Sequence, residues 1–220
     1  MHIHTSIILI GVLVACTMSF AITIQLNPIA DAYFYCGNNS NTGTVDILAS
    51  EGDTASNYYG SWMKFDLSTL SGYSVQSAIL KLTSTYYHGT SANYHAIYSA
   101  SDDSWVETTV SGTNAPTGTY QYVSKSWIAT TLATYSWDVK TAVVGSYGLS
   151  GSNQLLSLLI KPDVLSGEYY GPHFASRENT NTSIRPLLVL EIAPVPEPAT
   201  FLLLCVSLLL CLVFKHNKRV

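Results

Sequence analysis

Eight carboxylates are spread along this chain where acid–base chemistry would need them: Asp31, Asp46, Asp66, Asp102, Asp103, Glu107, Asp138 and Glu178. Cleaving a glycosidic bond takes two of them facing each other across a cleft, roughly 5–9.5 Å apart. Spacing along the chain does not set that distance, and several of the eight sit in structural contexts. Asp66 precedes Leu67-Ser68 and suits a turn or cap. Glu107, in Trp105-Val106-Glu107, suits a pair with Lys or Arg, and Asp138 suits a helix cap. His88, His95 and His173 stand alone, outside any His-Glu-x-x-His or His-x-His spacing. Ser176 has no Gly-x-Ser-x-Gly elbow. No catalytic residue is assigned, and no enzyme is expected.

Calcium asks for clustered oxygens. The loops "GNNSNTG" and "SEGDTASN" offer them only scattered, so ordinary Asx-turns are preferred over a structural Ca²⁺, and no cofactor or metal is expected. Aromatic residues are the richer source of chemistry. All fifteen tyrosines fall between Tyr33 and Tyr170. The pairs Tyr58-Tyr59, Tyr86-Tyr87 and Tyr169-Tyr170 are the candidate ligand-binding residues, because a ring beside a hydroxyl can stack on a sugar. Tyr120 with Tyr122 forms a fourth pair. The competing reading is that aromatics simply suit strands, and Trp105, Trp137 and Phe65 are expected in the core. Arg177 has two readings as well: an ion pair tying the late strands to the first, or a ligand contact.

The elements that must position these side chains read as strands. In "ADAYFYC" Ala32, Phe34 and Cys36 share one side, and Asp31, Tyr33 and Tyr35 the other. In "SAILKLTSTYY" Ala78, Leu80, Leu82 and Ser84 oppose Ile79, Lys81, Thr83 and Thr85; a slip of one residue would turn Leu80 and Leu82 to water. "TVDILAS", "SWMKFDL", "NYHAIYS", "TYSWDV", "LLSLLIK", "HFASRE" and "RPLLVLEI" are further strands, separated by Gly/Asn/Ser-rich turns. The one helical pattern is Asp138 capping "VKTAVVGSYG", ended by Gly145 or Gly148. About nine short strands without covering helices predict an all-β fold, an antiparallel β-sandwich of jelly-roll type. No internal repeat is visible, and residues 22–194 read as one domain.

Both ends of the chain are addresses rather than fold. Residues 1–21 read as a signal peptide: an apolar stretch from Ile7 to Cys16, then Ser19-Phe20-Ala21 as a cleavage site for signal peptidase. Leu13-Val14-Ala15-Cys16 also has the form of a lipoprotein box, with Cys16 as the acylated residue. At the other end, residues 199–214 form an apolar run, short for a bilayer at about 1.5 Å per residue. The basic tail 215–220, with Lys215, Lys218 and Arg219, follows at once and predicts a transmembrane helix with its tail in the cytoplasm. Pro196 and Pro198 hold Glu197 in extended chain just ahead of the span.

Between these ends, 173 residues remain. Removing the tail's three basic residues and Glu197 from the ten and fourteen of the whole chain leaves seven against thirteen, a net charge of −6. An acidic domain with scattered lysines is a poor partner for nucleic acid. Cys36 is the one cysteine between leader and span, so no intramolecular disulfide is expected there.

Val195-Pro196-Glu197-Pro198, the apolar run and the basic cluster resemble the PEP-CTERM sorting signal. That resemblance implies export, membrane anchoring and cutting near the Pro-Glu-Pro by an exosortase-type membrane protease, with final residence at the cell surface or in the extracellular matrix. A second resemblance runs from about residue 30 to 192. "DAYFYCGNNSNTG", Lys64-Phe65-Asp66-Leu67-Ser68, Trp105 with Glu107, Asp138-Val139, Ser176-Arg177-Glu178-Asn179 and Arg185-Pro186 are similar to the DNRLRE-type domain. That domain overlaps a carbohydrate-binding module found beside polysaccharide lyases. The chain departs from it at "TTVSGTNAPTG", which lacks a second Trp, and at Ser61-Trp62-Met63, which lacks the usual basic residue. The resemblance implies a non-catalytic module that binds glycan or exopolysaccharide. The alternatives are a purely structural surface or biofilm-matrix protein and, further off, a polysaccharide-processing enzyme.

Overall fold

The computed structural model describes residues 20–116, 120–147, 153–163 and 167–195. The leader with Cys16, Gly148, and the sorting segment from Pro196 through the 199–214 run to Arg219 lie outside the described residues. Among the described residues no helix is long and apolar enough to cross a membrane.

Among the described residues twelve strands form two six-stranded antiparallel sheets. The first sheet contains β1 (Ile22–Leu26), β3 (Ile47–Ala49), β6 (Tyr73–His88), β9 (Thr134–Asp138), β11 (Gly171–Ala175) and β12 (Leu187–Pro194), in the order β1-β12-β6-β11-β3. β9 and β12 both register with Ile79–Lys81 of β6, so they flank it on opposite edges. The second sheet contains β2 (Ala30–Tyr35), β4 (Glu51–Thr54), β5 (Asn57–Asp66), β7 (Asn93–Ala100), β8 (Tyr120–Ile128) and β10 (Leu155–Pro162), in the order β2-β5-β10-β7-β8, with β4 also on β5. The strand count exceeds the nine expected: β3 falls within the expected "TVDILAS", and the three not expected are the short β1 and β4 and the nine-residue β8. The stretch 102–110, which carries Trp105 and Glu107 of the family likeness, is irregular with a single turn at 107–109.

The alternation seen in the sequence builds the core. Ala78, Leu80 and Leu82 of β6 and Leu188, Leu190 and Ile192 of β12 face Met63 and Phe65 of β5, Leu156, Leu158 and Ile160 of β10, and Ile97 of β7. Each of these side chains larger than Ala78, fully buried, contributes about 1.5–3 kcal/mol of transfer free energy. Helix α1 (Lys140–Tyr147) adds Val143 to this layer, and Asp138 Oδ1 accepts the Lys140 N–H at 2.9 Å as its cap.

In β5 the burial is continuous from Gly60 to Phe65. Met63 and Phe65 point inward, but Trp62 points outward and is buried too, with Ala32, Phe34 and Leu159. The segment 101–116 lies over this outer face and brings Trp105 and Val110 onto it. Trp105 Nε1 donates to Ser157 Oγ at 2.8 Å. Lys64 Nζ donates to the Trp105 carbonyl and stands 4.5 Å from its ring centroid. Burial lowers the Lys64 pKa, with Asp103 and Asp102 opposing. The Lys-Phe-Asp and Trp-x-Glu motifs thus fasten a cover to a sheet.

Candidate functional site

Three constellations of polar and aromatic side chains stand out, and register explains each. The first surrounds Glu51. Ser50 joins β3 of the first sheet to β4 of the second, so the chain changes sheets at Glu51. A bulge between His173 and Phe174 turns Phe174 inward against Trp137 and leaves His173 opposite Tyr86. Tyr86 and His88, two apart at the end of β6, share one face.

Glu51, nearly buried, sits among them. Its Oε2 lies 3.2 Å from His88 Nδ1, and its Oε1 accepts from the Tyr169 hydroxyl at 3.4 Å. His173 Nε2 is 3.2 Å from Oε1, at ion-pair distance but without hydrogen-bond alignment. The rings follow one another: Tyr35–Tyr59 at 4.9 Å, Tyr59–Tyr169 at 6.3 Å, Tyr169–His88 at 5.2 Å and Tyr86–His173 at 5.1 Å between centroids. Burial, and after it the Glu51 charge, raise the Tyr169 pKa. Tyr35 closes the row by donating to Asn57 Oδ1 at 2.7 Å.

The second constellation covers the outer face of the second sheet, beyond the reach of the 101–116 cover. Tyr58 of β5, Lys161 of β10, Tyr98 of β7 and Tyr122 of β8 fall on four successive strands, a row of about 14 Å at the usual strand spacing. Lys161 Nζ lies 5.5 Å from the Tyr58 ring and 4.9 Å from the Tyr98 ring, and Tyr98 meets Tyr122 edge-on at 5.9 Å. Beside this row, Tyr94 meets Trp127 at 4.9 Å, and Lys125 Nζ is 5.0 Å from the Tyr94 ring and 2.7 Å from Asp163 Oδ2. Ala96, opposite Lys125, supplies no bulk between the two groups. Tyr122 is 54% exposed and Trp127 52%, with Tyr94 and Tyr120 somewhat less so. Burial, then the neighbouring Cys36 thiol, push the Tyr58 pKa up to about 12.

The third constellation joins the start of β2 to the end of β11. Arg177 Nη1 donates to both carboxylate oxygens of Glu107, at 2.9 and 2.8 Å, and the Arg177 N–H donates to Asp31 Oδ2 at 2.9 Å. Glu107 Oε1 also accepts the Asp31 N–H at 2.8 Å. Gly43 is required here: a Cβ on it would stand 2.2 Å from the Glu107 carbonyl. Ser176 Oγ donates to Glu178 Oε2 at 3.2 Å.

The expected ligand-binding residues are therefore divided among places. Adjacent residues of a strand point to opposite faces, which separates Tyr58 from Tyr59 and Tyr86 from Tyr87, and Tyr169 and Tyr170, just ahead of β11, part company as well. Tyr59, Tyr86 and Tyr169 meet around Glu51, and Tyr58 joins the lysine row. Tyr170 is buried, and Tyr87 packs against the core with its hydroxyl on the Ser91 carbonyl at 2.7 Å. Arg177 forms the ion pair read for it. The carboxylates Asp66, Asp102 and Asp138 each accept the backbone N–H two residues ahead, as Asx-turns do. Sequence reasoning missed Glu51, His88, His173, Lys125, Lys161 and Trp127. Tyr-x-His at 86–88 and Tyr-x-x-x-Tyr at 94–98 carried a period-two signal for same-face rings, but cross-strand register is needed to see which ones meet.

The comparisons with known proteins give two matches along the chain. The PEP-CTERM protein-sorting motif matches residues 194–219. A search of curated proteins finds no match. Carbohydrate-binding module family 96 matches residues 22–192, from the first strand to within two residues of the end of the last, and the chain belongs to that family.

Proposed function

We propose that this protein is an exported, non-catalytic glycan-binding module that docks polysaccharide, such as extracellular matrix, on the outer face of its second sheet. The observation that carries this reading is the row Tyr58–Lys161–Tyr98–Tyr122 with Tyr94, Trp127 and Lys125 beside it. Several of these rings are exposed on a rigid sheet. Open aromatic faces beside cationic and hydroxyl donors suit sugar rings, which present C–H faces and hydroxyl edges. Membership in a carbohydrate-binding module family supports the same class of ligand and a binding role rather than catalysis.

The PEP-CTERM motif implies export, membrane-anchored sorting and processing by an exosortase. In our reading signal peptidase removes residues 1–21, the 199–214 segment spans the inner membrane, and the exosortase cuts near Pro196–Pro198. Release at the surface then presents the sheet to the matrix. A purely structural role would leave the exposed rings without a ligand. A glycan array probed with the full chain in detergent separates the two: saturable binding to at least one polysaccharide is expected, and its loss in Trp127→Ala. A folded chain that retains no glycan overturns the reading. In a host with the matching exosortase, Glu197→Ala is expected to leave an uncut, membrane-retained chain. Mass spectrometry finding wild-type protein still ending at Val220 would remove the processing step.

A further inference from the structure

The Asp31, Glu107 and Glu178 cluster is unbalanced in both charge and hydrogen bonding. The Asp31 carboxylate is fully buried, yet Oδ1 has no hydrogen-bond partner. A buried acceptor without a donor costs about 1–3 kcal/mol, more when it is charged. Arg177 supplies one positive charge against three carboxylates, and its guanidinium is spent on Glu107 with a weaker reach to Glu178 at 3.5 Å. With all three carboxylates ionised two negative charges remain unbalanced, and burial, with Glu178 and Glu107 nearby, opposes that ionisation at Asp31.

We propose that this cluster is a Ca²⁺ site. One oxygen from each of Asp31, Glu107 and Glu178 lies within 4.8 Å of the others. Ligands on opposite sides of a Ca²⁺ ion, at its usual 2.3–2.6 Å, are about 4.6–5.2 Å apart, whereas Mg²⁺ would demand about 4.0–4.2 Å. All three oxygens fall inside the Ca²⁺ limit, and a shell of carboxylates completed by water suits that hard cation. A divalent cation gives Asp31 Oδ1 its missing partner and brings the group of three carboxylates and Arg177 to neutrality. Waters complete the coordination on the side of Glu178, the most exposed of the three.

The ligands come from three separate stretches: the second residue of β2, the 101–116 cover, and the turn after β11. Trp105, two residues before Glu107, is the ring that covers Trp62. Bound Ca²⁺ therefore pins the cover to the sandwich. Millimolar calcium outside the cell suits the affinity of exposed extracellular sites, with Kd of about 10⁻⁴–10⁻³ M.

The test is calorimetric titration of CaCl2 into the full chain in detergent after EDTA treatment and its removal. One Ca²⁺ per chain is expected, with no replacement by MgCl2 at equal concentration and a melting temperature that rises with Ca²⁺ and falls back with EDTA. Asp31→Asn and Glu178→Gln should each weaken binding at least tenfold, while Glu191→Gln, on the exposed side of β12, leaves it unchanged. Circular dichroism checks that each variant folds. Should Asp31→Asn fail to fold, Glu178→Gln at the rim of the cluster carries the comparison. A wild-type chain that shows no saturable Ca²⁺ uptake up to about 10 mM, roughly tenfold above the weakest Kd of that range, overturns the site, as does uptake that Glu178→Gln leaves unaltered.

Discussion

The two aromatic constellations use the same residue types to opposite ends. Around Glu51 the rings turn toward a nearly buried carboxylate, and His88 and Tyr169 donate to it. On the outer face of the second sheet the rings stand open and the cations lie over them rather than under them. A Tyr-rich surface is therefore not one kind of surface. Where a buried acid organises the rings, their polar atoms are used within the protein, and the cluster stitches the corner at which the chain changes sheets. Where no such acid lies beneath, ring faces and the Lys161 ammonium are left for something outside.

The largest effect expected from breaking this contrast is on stability. Glu51→Ala removes the shared acceptor of His88 and Tyr169 and the close neighbour of His173, and should cost about 2–3 kcal/mol in chemical denaturation, as loss of a buried hydrogen-bond acceptor does. Glycan affinity should stay within about twofold, since Tyr98 and Trp127 belong to another face. A fall in affinity as large as the fall in stability would move the docking surface to Glu51. The complementary variant, Trp127→Ala, should weaken glycan binding about thirtyfold, the size of an aromatic hot spot, with little change in melting. If Tyr86→Ala weakens binding as much, the two faces are not functionally distinct.

How far the sequence carried this contrast depends on what one residue can know about its own strand. The alternation of Leu80 and Leu82 with Lys81 fixed which side of β6 is core, and the structure agrees residue by residue. Asp66, Asp138 and the Arg177–Glu107 pair were legible because capping and ion pairing leave local signatures. Tyr58 and Tyr59 were not legible as belonging to different sites, although period two already separates them. The decisive facts were nonlocal: the bulge at Thr85 that turns Tyr86 and His88 away from the core face of Leu80 and Leu82, and the cover that makes Trp62 a buried residue on an outward face. Glu51 carried no signal of its own, because in "SEGDTASN" it reads as one more loop oxygen.

A third expectation concerns the core between the two faces. His95 is fully buried, with Nδ1 on Ser50 Oγ at 2.8 Å and its carbonyl accepting from Trp137 Nε1 at 2.9 Å. Burial lowers its pKa to about 3 from 6.5. The folded chain thus holds it neutral while the unfolded chain protonates it below pH 6.5. Its contribution to stability is full above that pH and is lost as pH falls toward 3, at about 1.4 kcal/mol per pH unit. Denaturant titrations from pH 7 to 4 should show that slope, and His95→Gln should flatten it. An unchanged slope in the variant would assign the acid sensitivity to the carboxylates. Ser50 is adjacent to Glu51, so this measurement also tells whether the corner between the sheets is the acid-sensitive part of the fold.

The smallest expected effect separates the two lysines of the open face. Lys125 already has a partner in Asp163, and that hydrogen bond is what raises its pKa. It is exposed, so the ion pair is worth little to the fold, and whatever it offers an anionic sugar is offset by the carboxylate beside it. Lys161 lies between the Tyr58 and Tyr98 rings, at the centre of the row. Lys125→Met should therefore change glycan affinity less than about threefold, whereas Lys161→Met should change it more, since a cation between two rings sits where a stacked sugar would also lie. Salt resolves the mechanism further. If the Lys161 contribution is Coulombic attraction to a uronate or sulfate, raising ionic strength from about 0.01 to 0.15 M, which shortens the screening length from about 30 to 8 Å, will erase most of the difference between wild type and Lys161→Met. If the ammonium acts by orienting the two rings, the difference will survive the added salt, and the ligand of this face is a neutral polysaccharide.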